Sequence, residues 1–151
     1  MLPDKERQQS QVFGEVAEIY HLYRPDYPKD LFEWILSTCK PSTSELIVDI
    51  GCGTGKASGP LLSHGFEIVG LEPDPAMARV AARELREFNL FSVEEYAFED
   101  WPNAGRKPEL LIAGQSWHWT NPKQRFQRAA SILKPEGWLC IFWNRPERDK
   151  Q

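Results

Sequence analysis

Residues 48–58 read VDIGCGTGKAS: three glycines at alternate positions, with an aspartate two residues ahead of the first. The run before them, LIVDI at Leu46–Ile50, is short, apolar and rich in β-branched residues, the composition of a buried parallel strand. A glycine loop leaving such a strand lets backbone approach a ligand closely. The spacing of its glycines decides which ligand.

Two well-known loops do not fit. A P-loop needs glycine five residues before Gly55, where Ile50 stands, and Ser or Thr after Lys56, where Ala57 stands. The dinucleotide fingerprint, counted from Gly51 and Gly53, needs its third glycine where Lys56 stands. The pattern present is Asp49-x-Gly51-x-Gly53-x-Gly55. Asp49 at the mouth opposes an anion and suits a ligand with positive charge, because opposite charges attract strongly in a partly desolvated site. Glu72 follows about 20 residues on, at the end of the next apolar run, where an acidic side chain accepts hydrogen bonds from ribose hydroxyls. An amine, a ribose and no pyrophosphate describe S-adenosylmethionine.

Outward from the loop, strands alternate with helices. Residues 66–71 form a second strand, and Asp74 as N-cap with Pro75 at the first helical position opens a helix through Met77, Val80, Ala81 and Leu85. Residues 90–96 hold a weaker third strand and residues 110–113 a fourth. Asn121-Pro122 opens a helix to about Leu133 by the same cap logic, and residues 138–143 form a fifth strand. Ahead of the loop, Val12, Val16, Ile19, Tyr20 and Tyr23 recur at helical spacing, RPDYP at 24–28 breaks that helix, and residues 29–38 resume one. The alternation predicts an α/β fold with a parallel sheet covered on both faces and a ligand at the carboxyl ends of the strands. One domain is expected, with residues 1–44 as an N-terminal helical cap segment and residues 45–151 as the core.

Bulk properties exclude other classes. A net charge of −4 and a pI near 5.4 argue against a nucleic-acid partner. No apolar run approaches the ~20 residues of a membrane span, and the polar N-terminus MLPDKERQQSQ lacks a signal-peptide core, so a cytoplasmic protein is expected. Cys39, Cys52 and Cys140 have no metal-ligand spacing and read as reduced thiols, Cys52 filling the glycine turn; no metal is expected. Four of the six tryptophans fall between Trp117 and Trp143, where large rings would line a pocket or a core. His21 and His64 read as surface residues.

VDIGCGTG, GLEPDPAM, AFEDWP, LLIAGQSWHW and LKPEGWLCIFWN together resemble the class I S-adenosylmethionine-dependent methyltransferases. YHLYRPDYP is similar to the start of their small-molecule branch, methyltransferase type 11 or ubiquinone/trans-aconitate methyltransferase-like. The resemblance spans about residues 14 to 145. It implies a Rossmann-like doubly wound sheet of strand order 3-2-1-4-5 and methyl transfer to a small-molecule acceptor. It also implies roles. Asp49 and the backbone of Gly51, Gly53 and Gly55 would face the methionine moiety. Glu72 would hold the ribose, Pro73 would flank the adenine, and Phe98 and Glu99 would reach it. Ala97 stands where many relatives have aspartate. Gln115 would lie under the cofactor near the reacting centre. Tyr20, Tyr23 and Arg24 belong to a segment that closes over the site, and Arg24 could equally pair with Asp26. Apart from the resemblance, Trp117-His118-Trp119 has two readings: a substrate wall of Trp117 and Trp119 with His118, whose ordinary pKa is near 6.5, as a candidate base, or rings lining the pocket with His118 as a hydrogen-bonded support.

That family continues past its fifth strand with a helix and an antiparallel strand pair, whereas eight residues follow Trp143 here. A truncated chain is therefore expected, its fifth strand an exposed apolar edge for a second copy or a partner to cover. This leaves a second reading: a non-catalytic, methyltransferase-like domain that binds the cofactor or a protein.

Overall fold

Five runs of the sequence pair into one sheet. The computed structural model describes residues 4–147. In it β1 (Leu46–Ile50), β2 (Glu67–Leu71), β3 (Phe91–Glu94), β4 (Leu110–Gly114) and β5 (Trp138–Phe142) are all parallel, in the order β3-β2-β1-β4-β5. The chain steps outward from β1 to β3 and then returns across β1 to β4. The order thus reverses between β1 and β4, and a crevice opens there at the carboxyl ends.

The three inner strands, β2, β1 and β4, are buried on both faces. Successive side chains point to opposite faces, so each strand feeds two cores. Ile47, Ile68, Leu110 and Ile112 pack with Phe32 and Ile35 of α2 (Lys29–Cys39) and with Leu61 and Leu62 of α3 (Ser58–Leu62). Val48, Ile50, Val69, Leu71 and Leu111 pack on the other side with Phe98, Trp101, and Ala129 and Ile132 of α5 (Arg125–Ile132). The Asp74 carboxylate accepts the Ala76 N–H at 2.9 Å and Pro75 opens α4 (Pro75–Glu84), as the sequence predicts.

Three expectations need correction. The helix α5 begins at Arg125 rather than at Asn121-Pro122. Asn121 organises a turn instead: its side-chain oxygen accepts the Lys123 N–H at 3.0 Å and its carbonyl accepts the Arg125 N–H at 2.9 Å. The fifth strand ends at Phe142, one residue short of Trp143. The first helix, α1 (Asp4–Tyr23), starts before residue 12, and its apolar stripe faces outward: Val12, Val16 and Ile19 are each more than half exposed. Its buried face is Ala17, which meets Ala76 and Val80 of α4. A small side chain lets the two helices approach closely, and Arg83 of α4 then pairs with Glu18.

β5 is the edge strand next to β4 among the described residues, with Trp138 exposed and Cys140 buried. No helix of the described residues is long and apolar enough to cross a membrane.

Candidate active site

The chain leaves β1 through a loop that only glycines can make at its crowded points. Gly51 lies at φ +61, and a Cβ there would stand 2.6 Å from Cβ of Ser116, so the loop rests directly on the segment after β4. Ser116 Oγ donates to the Ile50 carbonyl and ties the two strand ends together. Gly55, at φ +89, lines neither cavity described below; a Cβ there would stand 2.6 Å from Cδ1 of Leu85. Its part, unlike the ligand-facing one expected, is to let the loop pack against the end of α4. Gly55→Ala is expected to lower Tm by about 3–10 °C in a thermal melt, from about 1–3 kcal/mol of backbone strain.

Glu72 follows the last residue of β2. Its Oε1 accepts the Gly53 N–H at 3.1 Å and its Oε2 accepts the Asp74 N–H at 2.9 Å. One carboxylate therefore joins the loop after β1 to the loop after β2. Burial raises its pKa, and the two backbone donors pull the other way. Asp49, in β1, is buried, and Ser58 Oγ donates to its Oδ2 at 2.7 Å. Burial, the largest cause, pushes the Asp49 carboxyl up to about 7; the Ser58 bond opposes this and the Glu72 charge adds to it. Cys52 does fill the turn: it is buried, with its N–H donating to the Leu71 carbonyl at 2.9 Å.

A cavity of about 520 Å³ opens over these ends. Gly51, Gly53, Glu72, Pro73, Phe98, Glu99, Gln115, Tyr20 and Trp119 line it, which brings together nine of the residues singled out in the sequence. Asp49 and Arg24 lie on an adjoining cleft that shares Tyr20, Gly51, Gly53 and Gln115. The Glu99 side chain accepts the Asn121 N–H, so it holds the next loop as well as bordering the cavity. Arg24 lies over the Tyr20 ring at 5.1 Å, and Asp26 pairs with Lys56 at 2.9 Å rather than with Arg24.

Besides Gly55, three expected residues are not brought in. Trp117, expected on a substrate wall, is core, with its ring 6.1 Å from Phe98 and 5.2 Å from Phe126. His118, read as a base or as a hydrogen-bonded support, is exposed outside both cavities and accepts the Trp143 indole N–H at 3.4 Å, which fits the second reading. The short 3₁₀ turn Trp117–Trp119 explains both: at three residues per turn, one ring points in and its neighbours swing out. Tyr23 is 82% exposed and lines neither cavity.

Other residues join the site without having been singled out. Met77, Tyr96, Ser116 and Thr120 line the cavity, and Tyr27 lines the cleft. His21, read as a surface residue, is half-buried: its Nδ1 is 2.8 Å from Thr54 Oγ1 in the glycine loop and its Nε2 is 3.5 Å from Glu84. The one signal for it was its place four residues after Ala17, on the same face of α1.

The sequence profile of the methyltransferase domain matches residues 47–137, β1 to the turn before β5. The chain belongs to the methyltransferase domain family. An uncharacterized methyltransferase of Mycobacterium tuberculosis is 31% identical over 145 residues, which are 94% of this chain and 56% of that protein. A Saccharomyces cerevisiae protein described as a probable S-adenosylmethionine-dependent methyltransferase is 33% identical over 135 residues, 85% of this chain and 45% of that one. The methyltransferase domain chain thus spans about half the length of the curated relatives it matches. Among solved structures, the CcbJ methyltransferase from Streptomyces caelestis superposes with a TM-score of 0.70 at 19% identity, over 85% of this chain and 56% of that one. The glycopeptide N-methyltransferase MtfA, solved with S-adenosyl-L-methionine, gives 0.66 at 15% identity, over 79% and 55%. At these identities the likeness is one of fold.

Proposed function

We propose that this methyltransferase domain binds S-adenosylmethionine across the carboxyl ends of β1, β2 and β4 and transfers its methyl group to a small-molecule acceptor. The observation that carries the reading is Glu72: a buried carboxylate on the cavity wall, fixed by two backbone donors and about 20 residues beyond the glycine loop. The cradle fits the cofactor. A Cβ on Gly53 would meet no protein atom within 4 Å, so that face of the loop is open to a ligand.

Glu72 keeps lone pairs for the ribose hydroxyls, and Asp49 offers a carboxylate to the ammonium. Pro73 and Phe98 border the adenine end. When bound, the cofactor supplies a methyl group already activated on a sulfonium. The chain's own part is alignment and the exclusion of water, which can supply much of the rate without a general base. Of the N-terminal segment, α1 serves as the cap, while α2 belongs to the core; Tyr20 of α1 and Trp119 both line the cavity, and these two rings border the acceptor's way in.

Calorimetric titration with S-adenosylhomocysteine, NAD and ATP tests this. Micromolar binding of S-adenosylhomocysteine alone is the expected result, followed by transfer of labelled methyl to an acceptor in a small-molecule screen. No binding by the folded chain, or a preference for NAD, overturns it.

A further inference from the structure

Tyr27 stands in the strap between α1 and α2, framed by Pro25 and Pro28. Its ring is held edge-on by Phe32, 6.2 Å between centroids at 82°, and by Phe142 at the end of β5, 5.1 Å at 88°. These contacts carry the hydroxyl to the end of β4, where a Cβ on Gly114 would stand 2.6 Å from it. Gln115, the next residue, has φ +56, a conformation that costs a residue with a side chain and persists where its surroundings enforce it. Two contacts do so here: Gln115 N–H donates to the Phe142 carbonyl at 2.8 Å, and Gln115 Nε2 donates to the Tyr27 hydroxyl oxygen at 3.2 Å.

The direction of that last bond matters. The phenol oxygen accepts it, so the phenol's own hydrogen has no partner among the described residues. Tyr27 lines the cleft shared by Arg24, Asp49, Gly51, Gly53 and Gln115. Burial, the largest cause, raises the pKa of the phenol, so it remains a neutral donor. An amino acid carries its ammonium and its carboxylate on one carbon. If the ammonium faces Asp49, the carboxylate lies one carbon away and needs donors on the neighbouring wall. Tyr20, Tyr27 and Arg24 are side-chain donors on that wall with no donor bond to another side chain among the described residues, and of the two phenols Tyr27 is the one whose hydroxyl is fixed by a hydrogen bond, from Gln115.

We propose that the Tyr27 hydroxyl binds the ligand directly, donating its free hydrogen to the carboxylate of the ligand's amino-acid end while it holds Gln115 in place. This rests on the cofactor reading above. Tyr27→Phe tests it well, because both ring contacts survive and only the hydroxyl is lost. The measurement is calorimetric affinity for S-adenosylhomocysteine and for its decarboxylated analogue, which keeps the ammonium and the adenosine. The variant is expected to bind S-adenosylhomocysteine about tenfold more weakly, the range for a hydrogen bond to a charged group, and the analogue within about twofold of the unmodified chain. An equal loss for both ligands makes the role structural and overturns the proposal, as does no loss for either. If the unmodified chain binds neither ligand, the cofactor reading falls and this proposal with it, a result distinct from both others. Should Tyr27→Phe fail to fold, the unmodified chain still decides. A wild-type preference for S-adenosylhomocysteine that survives in the Tyr20→Phe/Arg24→Ala double variant leaves Tyr27 as its donor; a preference that the double variant abolishes leaves Tyr27 no part.

Discussion

Replacing Glu72 by alanine is expected to weaken S-adenosylhomocysteine binding by about two to three orders of magnitude. Two charge-assisted hydrogen bonds to a ribose diol are together worth about 3–4 kcal/mol. A second loss adds to this, since Gly53 and Asp74 would each lose the acceptor of their N–H and the two loops would no longer share an anchor. Glu72→Gln separates these effects. Its amide retains one acceptor oxygen but sets an NH₂ group against a backbone donor, so a loss of about tenfold to a hundredfold is expected. Titration calorimetry at constant pH reads all three proteins. An unchanged affinity in Glu72→Ala would remove the ribose assignment.

Asp49→Asn is expected to act in opposite directions on stability and on binding. The Asp49 carboxyl titrates near 7 when folded, against an ordinary value of 3.8. Between those values the folded chain keeps a proton that the unfolded chain has released, so stability falls as pH rises, and above pH 7 the loss is complete. On 1.36 kcal/mol per unit its size is at most about 4 kcal/mol. An asparagine has no charge to desolvate and still accepts the Ser58 hydroxyl. Asp49→Asn should therefore melt above the wild type at pH 8 and differ less at pH 4.5. Binding shows the reverse, because an ammonium needs the ionised carboxylate. Wild-type affinity should rise about tenfold per pH unit from 5 towards 7 and then level off, with proton release visible at pH 6 in buffers of different ionisation enthalpy. The raised pKa of Glu72 acts in the same direction. An affinity flat from pH 5 to 8 would sever Asp49 from the ligand.

The sheet was legible because its signals are local. Leu46–Ile50 is apolar but for Asp49 and rich in β-branched residues, and Asp74-Pro75 carries its own cap. The glycine loop and Glu72 were legible because a fixed spacing joins them. The misreadings share another cause. The stripe from Val12 to Tyr23 gave the helix but not its buried face, because the α1–α4 seam turns on one small residue and on charges, which periodicity does not weigh. Trp117, His118 and Trp119 could not be divided by sequence, since a 3₁₀ turn sends neighbours in different directions. His21 and Tyr27 reach the site through partners 33 and 88 residues away, and nothing local announces either contact.

The seam between α1 and α4 has a consequence of its own. The sheet is held by buried hydrocarbon, whose cohesion salt scarcely weakens. The first helix is fastened by one alanine patch, by Glu18 with Arg83 and by His21 set between Thr54 and Glu84, and an exposed ion pair such as Glu18 with Arg83 loses strength as ionic strength rises. Sheet and first helix thus answer to different solvents: a rise in ionic strength weakens the hold on the helix while the scaffold beneath it stays folded. The attachment of the first helix answers to electrolyte, and the endurance of the fold to oil.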